Sequence, residues 1–210
     1  MLLGSTTECF PAQEKRFEIT ANILKILNSK NIPYTILTKS HLIGSYLKII
    51  SQNPENKIFF TFNFQSDKLI RLIEKKSPSI KQRLEAIRKI IAAKINLRIH
   101  IGPFIPYISD LEKILKLLPK GVEEIDIELY HHKQGNFDKI IAAIENSLGR
   151  EPASGLNQIY KDENRYCVYT KTLVNKIKEL KNQYCFCFYP IIPEFNKFYN
   201  CEIAYEKPLL

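Results

Sequence analysis

Residues 96–101, Asn-Leu-Arg-Ile-His-Ile, alternate between polar and apolar side chains. Alternation with a period of two is typical of a β-strand whose two faces meet different surroundings. Residues 57–64 (Lys-Ile-Phe-Phe-Thr-Phe-Asn-Phe) and 125–130 (Ile-Asp-Ile-Glu-Leu-Tyr) show the same split into an apolar and a more polar face. Helix-like segments separate the three strands, which implies parallel crossovers and therefore an α/β sheet or barrel.

The rest of the chain extends this strand–helix order. We expect further strands at 1–5, 33–38 and 184–189, and helices at 12–29, 42–51, 79–94, 109–118, 137–148 and 173–180. Ser79 with Gln82, and Ser109 with Glu112, have the spacing of a capping box at a helix start. The order becomes less regular after Gly149, and Gly155 indicates a loop. We therefore predict a partial barrel over residues 1–149 and a C-terminal α/β extension, packed on it, over 150–210.

The polar strand faces predict a cavity. In a barrel covered by helices the apolar face of each strand turns outward, so the polar side chains point inward, and sites form where the strands end. The predicted lining is Lys39, Thr61, Asn63, Arg98, His100, Glu128 and Tyr130. Such a set suits a polar ligand with a carboxylate, an amine and hydroxyls. Alternatively, His100 is a core histidine and Glu128 lies on the solvated face of an edge strand.

Composition and charge set further limits. The net charge is +9, mostly from Lys spread along the helices, which fits either a solvated surface or a polyanionic partner. No apolar run is long enough to span a bilayer, and no signal peptide is visible. We therefore expect a cytoplasmic protein, with no membrane association, whose five cysteines are reduced.

Four segments resemble motifs of the spore photoproduct lyase-like branch of radical S-adenosylmethionine enzymes, in the same order and at similar spacing. Residues 3–14 are similar to its G-x-x-T-D-x-Y-Q-P-x-E segment, and 36–40 to its I-x-T-K-S strand end. Residues 77–87 are similar to S-P-x-x-x-x-R-L-x-A-I, and 103–110 to P-I-I-P-G-x-x-D. The departures are Glu8 for Asp, Phe10 for Tyr, Pro11-Ala12 for Gln-Pro and Tyr107 for Gly.

The resemblance implies a partial parallel (β/α) barrel that holds S-adenosylmethionine across its strand ends. The segment from Gly4 to Glu14 would lie near the methionine amino group, Lys39 and Asn63 near the methionine or ribose part, and Arg98 with His100 toward the reacting end. The cofactor-binding residues so implied are Gly4, Thr6, Thr7, Glu14, Lys39, Asn63, Arg98 and His100.

The family's C-x-x-x-C-x-x-C loop is missing from the sequence. Three cysteine thiolates hold the [4Fe–4S] cluster of such enzymes, and the five cysteines here (Cys9, Cys167, Cys185, Cys187 and Cys201) do not reproduce that spacing. We expect the first strand and the cluster loop to lie upstream of Met1, as in an N-terminally truncated domain. Cys185 and Cys187 would share a strand face, as a two-ligand site or as buried thiols, and His131-His132 lacks further ligands at zinc-like spacing.

The leading hypothesis is therefore a radical S-adenosylmethionine domain that is inactive alone, with its cluster motif on a missing N-terminal segment or on a partner chain. A second hypothesis is a non-catalytic barrel that binds a nucleotide or DNA. A third is an unrelated β/α barrel enzyme that acts on a small anion through Arg98, His100 and Glu128. The leading hypothesis identifies no catalytic residue.

Overall fold

The computed structural model describes residues 1–132 and 135–189, and within them one sheet carries the fold. Its six strands are all parallel and lie in the order β1 to β6. They are β1 (Leu2–Leu3), β2 (Thr35–Thr38), β3 (Lys57–Thr61), β4 (Asn96–Phe104), β5 (Glu124–Leu129) and β6 (Cys185–Tyr189). In the described part of the chain β1 and β6 do not pair, so the sheet is an open, partial β/α barrel. The predicted fold class is confirmed.

Helices connect the strands. They are α1 (Glu14–Phe17), α2 (Ile19–Ser29), a 3-10 helix (His41–Ser45), α3 (Leu47–Ile50), α4 (Asp67–Ile73), α5 (Ile80–Ala92), α6 (Leu111–Leu117), α7 (Phe137–Leu148), α8 (Arg150–Lys161) and α9 (Glu163–Leu180). Among the described residues no helix combines the length and apolar character that a membrane span requires.

The apolar strand faces form the core, as predicted. The side chains fully removed from solvent on β3, β4 and β5 are Ile58, Phe60, Ile99, Ile101, Ile125 and Ile127. They belong to the same cluster as Ile87 and Ile90 of α5 and Ile114 of α6. This burial leaves the opposite, more polar face of each strand for the interior of the barrel.

Two of the predicted helix starts have different outcomes. The Ser79 capping box is confirmed, because the backbone N–H of Ser79 donates to Gln82 Oε1 at 2.9 Å and the N–H of Gln82 donates to Ser79 Oγ at 3.3 Å. The second box is wrong. Asp110 caps α6 by accepting from the N–H of Lys113, while the Ser109 hydroxyl accepts from the N–H of Ile105 and donates to the carbonyl of Asn63.

The C-terminal third is more helical than the sequence indicated. Gly155 lies inside α8 and does not mark a loop. A Cβ atom at this position would lie 2.6 Å from the ring of Tyr107, so glycine is needed there for close packing. The helices α4 and α8 and the first half of α9 were not predicted. Residues 190–210, and with them Cys201 and part of the predicted C-terminal extension, lie outside the described residues.

Candidate functional site

The strand register places the polar side chains in two rows on the inner face of the sheet. Phe59, Arg98 and Glu124 are register partners, and Thr61, His100, Asp126 and Cys187 form the next row toward the strand ends. Register partners on parallel strands point to the same side of a sheet. The inner face is therefore polar across β3 to β6, and β5, which pairs with both β4 and β6, is not an edge strand.

Arg98 lies at the centre of an acidic group on the inner face. Its guanidinium contacts Glu124 Oε2, with Nε at 2.7 Å, and Asp126 Oδ1, with Nη1 at 3.2 Å, and it lies 5.3 Å from the centre of the Phe59 ring. Burial opposes its charge, but the two carboxylates outweigh that effect and raise the pKa of Arg98. Both acids come from β5, and they give the partly buried guanidinium the charged partners that it needs.

Asp126 is the more buried of the two acids. Burial raises its pKa to about 6, although Arg98 acts in the opposite direction. The Arg98 Nη1 atom also lies 3.6 Å from Cys187 Sγ, so a thiol of β6 completes this group. With one guanidinium against Glu124 and Asp126, this part of the inner face is not a positively charged surface.

His100 and Glu128 form a second pair, closer to the strand ends. His100 Nε2 lies 3.6 Å from Glu128 Oε2, too far for a direct hydrogen bond. Burial lowers the pKa of His100 to about 4 and raises the pKa of Glu128, with His131 partly offsetting the latter effect. A Cβ atom at Gly102 would lie 2.2 Å from His100 Nε2, so a larger residue at position 102 would clash with the imidazole.

Lys39 and Asn63 meet through two residues that the sequence analysis did not select. Glu74, just after α4, accepts from Lys39 Nζ at 2.7 Å and from Asn63 Nδ2 at 3.4 Å. Arg83 of α5 is completely buried, binds Glu74 through Nη2 and donates to Asn63 Oδ1 at 3.1 Å. Burial opposes ionisation of Glu74, but Arg83 and Lys39 outweigh it and hold the pKa of Glu74 below its usual range.

The Gly4–Glu14 segment follows β1 and is fastened to the end of β2. Glu8 accepts from the hydroxyl of Thr38 and, at 3.2 Å, from the backbone N–H of Lys39. Glu14 is buried and accepts from the N–H of Ala21 at 2.9 Å, so in this structure it caps α2. Thr6 and Thr7 are exposed. Gly4 has φ +87, and a Cβ there would lie 2.1 Å from the carbonyl oxygen of Leu37.

A cleft opens at the carboxyl ends of β4 and β5, between α4 and α7. Its volume is about 450 Å³, within the range of small-molecule sites. The lining combines apolar, acidic, basic and amide side chains and consists of Leu72, Ile73, Glu74, Lys75, Pro103, Glu128, Tyr130, His131, Asn136, Lys139, Ile140 and Ala143. The Tyr130 hydroxyl donates to Asn136 Oδ1 at 2.6 Å. A ligand that carries both charges and hydroxyls would find complementary groups here.

The four cysteines that the structure describes do not group as an iron–sulfur cluster would require. Within the described ranges no three Cys, His, Asp or Glu side chains are grouped as a metal site requires. Cys9 lies beside Gly4, and burial together with Glu8 and Glu14 raises the pKa of its thiol to about 11, which disfavours the thiolate that a metal binds. Cys167 is on α9, while Cys185 and Cys187 are on β6.

The structure thus divides the predicted site residues into groups. Lys39 and Asn63 share Glu74 as a partner, and Arg98 and His100 lie in adjacent rows with Thr61. Glu128 and Tyr130 line the cleft, whereas none of the eight residues implied to bind the cofactor does: Gly4, Thr6, Thr7, Glu14, Lys39, Asn63, Arg98 and His100. The residues that sequence reasoning missed are Glu74, Arg83 and Asp126. Asp126 alternates with Ile125 and Ile127, and Arg83 is the arginine of the 77–87 segment that resembles S-P-x-x-x-x-R-L-x-A-I, whereas Glu74 gave no signal.

Sequence comparison finds relatives that are themselves uncharacterised. No family model matches the chain. It is 30% identical over 113 residues to an uncharacterised protein of Methanocaldococcus jannaschii, which is 54% of this chain and 43% of that protein. It is 25% identical over 111 residues to an uncharacterised protein of Mycobacterium tuberculosis, 51% of this chain and 33% of that protein. These matches span less than half the length of either relative.

Among solved structures, the chain is similar to spore photoproduct lyase. A cysteine-to-alanine variant of that enzyme with dinucleoside spore photoproduct aligns over 71% of this chain and 45% of the other, at 17% identity and a TM-score of 0.50. A further variant with bound AdoMet and dinucleoside spore photoproduct aligns over 71% and 44%, at 17% identity and a TM-score of 0.49. At this identity the first likeness shows the fold alone: an open, parallel β/α sheet like that of spore photoproduct lyase.

Proposed function

We propose that this chain is the S-adenosylmethionine-binding part of a radical S-adenosylmethionine enzyme and makes no deoxyadenosyl radical alone. The observation that carries the proposal is the mixed-charge cleft of about 450 Å³ at the strand ends of a partial barrel. S-adenosylmethionine carries an ammonium, a sulfonium, a carboxylate and ribose hydroxyls. Glu74 and Glu128 offer acceptors to its cations, and Lys75 with Lys139 offer donors to its carboxylate.

The inner face supports the same assignment. Sites in parallel β/α folds form at the carboxyl ends of the strands, and it is there that the polar rows of β3 to β5 end. Three of the four sequence segments that resemble the spore photoproduct lyase-like branch lie along the same edge: residues 3–14 begin at the end of β1, 36–40 include the end of β2, and 103–110 begin at the end of β4. The fourth segment, residues 77–87, includes the start of α5, and Arg83 of this helix binds Glu74 at the cleft.

Radical chemistry would require three thiolates that the described residues do not group together. In the family, the cluster supplies the electron that cleaves S-adenosylmethionine, and no step of that kind is assigned to this chain. Its own residues would bind and orient the cofactor, with Arg83 holding Glu74 in place and the buried, neutral His100 facing Glu128. A cluster-bearing segment upstream of Met1, or on a partner chain, stays a prediction.

Equilibrium dialysis of the purified chain against labelled S-adenosylmethionine tests the binding proposal. We expect saturable binding at one site per chain, weakened about tenfold or more by Glu128→Gln, because a charged hydrogen bond to the ligand would be lost. Glu123→Gln is the matched control, since Glu123 is exposed and immediately precedes the same strand, at its opposite end. Absence of saturable binding at millimolar ligand, or equal weakening by both substitutions, would contradict the proposal.

A second assay tests the statement about the radical. The purified chain is treated anaerobically with iron, sulfide and dithionite, and 5′-deoxyadenosine is measured by liquid chromatography and mass spectrometry. We expect no product above the protein-free control. Formation of 5′-deoxyadenosine by the chain alone would show that its own residues support reductive cleavage, against the proposal.

A further inference from the structure

Two cysteines of β6 lie on the inner face of the sheet, apart from the cleft. Cys187 is the register partner of Asp126, and its Sγ atom lies 3.6 Å from Arg98 Nη1 on that face. Cys185 is two residues earlier in the same strand, so its side chain points to the same side of the sheet. Cys185 is exposed, whereas Cys187 is buried. The pair therefore presents one thiol to solvent and one to the interior of the protein.

The spacing of the two thiols suits a single ion held between them. Residues i and i+2 of a strand lie about 6.6 Å apart, at about 3.3 Å per residue. Rotation about the two χ1 angles brings the sulfur atoms closer together than the backbone positions. Two metal–sulfur bonds of the length found for zinc, about 2.3 Å, separate the sulfurs of a linear complex by about 4.6 Å. Both thiols can therefore reach one ion without a change in the pairing of β6 with β5.

The neighbouring carboxylates are engaged by Arg98. Its guanidinium contacts Glu124 Oε2 at 2.7 Å through Nε and Asp126 Oδ1 at 3.2 Å through Nη1. In the part of the chain that the structure describes, no group of three Cys, His, Asp or Glu side chains is arranged to hold a metal ion. Structural zinc needs four ligands, and an iron–sulfur cluster needs more thiolates than this pair supplies. The pair therefore fits an ion that two thiolates satisfy.

The softness of the ligands narrows the choice of ion. Thiolates are soft ligands that select soft cations, and Cu(I) is the soft cation that forms stable linear complexes with two sulfurs. The thiolate, not the thiol, is the form that binds a metal. Arg98 Nη1 donates to Cys187 Sγ, and a charged donor of this kind favours the thiolate form of the sulfur.

We propose that Cys185 and Cys187 form a binding site for Cu(I), held in linear coordination by the two thiolates on the inner face of β6. Two thiol protons are released as the ion binds, and copper keeps its oxidation state. The exposed Cys185 gives the ion its point of entry, and the buried Cys187 shields one side of the complex from water. The site is separate from the cleft, so the inference does not depend on the proposed function.

Competition for Cu(I) with the chelator bathocuproine disulfonate, under anaerobic conditions with ascorbate, tests the site on the intact chain. We expect one Cu(I) per chain to be withheld from the chelator. Cys185→Ser and Cys187→Ser should each lower the affinity about a hundredfold or more, because one of the two metal–sulfur bonds is lost. The matched control is Cys167→Ser on α9, which should leave the affinity unchanged.

Two further measurements test the number of ligands. X-ray absorption spectroscopy of the loaded chain should show two sulfur neighbours of copper and no third ligand. Cys201→Ser, which removes a cysteine outside the described residues, should leave the affinity unchanged. Circular dichroism should show that Cys185→Ser, a change at an exposed position, melts like the parent, so that its weaker binding reflects the lost ligand.

Three outcomes would overturn the proposal. The first is a parent chain that withholds no Cu(I) from the chelator. The second is a Cys185→Ser variant that folds and binds Cu(I) as tightly as the parent. The third is a copper ion with three sulfur neighbours, or a loss of affinity in Cys201→Ser as large as that in Cys185→Ser, because the site would then be a three-thiolate site.

Discussion

Replacing Arg83 by Met should be the most damaging single change at the site. The Arg83 side chain is completely buried, and its guanidinium donates to the carbonyls of Pro78 and Thr61, to Asn63 Oδ1 and to Glu74. Methionine fills a similar space but supplies no donor and no charge. Glu74 would then keep only Lys39 as a charged partner, and Lys39 is partly exposed.

The size of the expected loss of stability is set by the Glu74 carboxylate, which loses its main charged partner. Removing one partner of a buried ion pair costs about 3–5 kcal/mol, because the remaining charge stays desolvated without compensation. Glu74 is nearly buried, so we expect Arg83→Met to lower the free energy of unfolding by about 3 kcal/mol or more. Adding Glu74→Gln should recover part of this loss, because the uncompensated carboxylate disappears.

Urea denaturation at pH 7, followed by circular dichroism, measures the effect. The matched control is Arg88→Met, an exposed position on the same helix, which should change the free energy of unfolding by less than about 0.5 kcal/mol. A loss below about 1 kcal/mol for Arg83→Met would show that Glu74 does not depend on Arg83 for compensation of its charge. Strict additivity of Arg83→Met and Glu74→Gln would do the same, since residues in one network should be coupled.

Three further outcomes are expected. Because burial lowers the pKa of His100 from 6.5 to about 4, the unfolded state binds a proton before the folded state does as the pH falls, and the free energy of unfolding should decrease between these pH values. His100→Gln should flatten this decrease in denaturation curves taken across the range, and a slope equal to that of the parent would contradict the expectation. Gly4→Ala should destabilise the chain by more than about 1–2 kcal/mol. The control is Gly135→Ala, which should destabilise it less, because Gly135 has a similar positive φ but no atom within 4 Å of an added Cβ. Equal shifts in melting temperature for the two variants would count against the contact with Leu37. If the +9 charge serves DNA, binding measured by fluorescence anisotropy should weaken steeply with salt, and affinity indifferent to salt would exclude that use of the charge.

The sequence predicted the sheet well because its strands carry a strong local signal. The alternation of Arg98 and His100 with Leu97, Ile99 and Ile101 has one structural interpretation, and β4 confirms it. The capping box at Ser79 is equally local, since its partners are three residues apart. Gly155, by contrast, misled the prediction because its role in α8 is set by the ring of Tyr107, a contact that no local pattern reveals.

The candidate site was harder to predict for a related reason. Alternation selected Arg98, His100 and Glu128 because strands repeat every two residues. Glu74 and Arg83 reach the site from helical segments, through contacts with Lys39 and Asn63 that span up to 35 positions in the chain. Only the folded structure brings these four side chains together.

Binding of S-adenosylmethionine at the strand ends of the open sheet is tested most directly by a crystal structure of the chain grown with saturating S-adenosylmethionine. We expect ligand density in the cleft between α4 and α7, with polar contacts to Glu128 and to the basic side chains at its rim. A cleft that holds only solvent at saturating ligand, or a ligand bound on the helical outer surface, would contradict it.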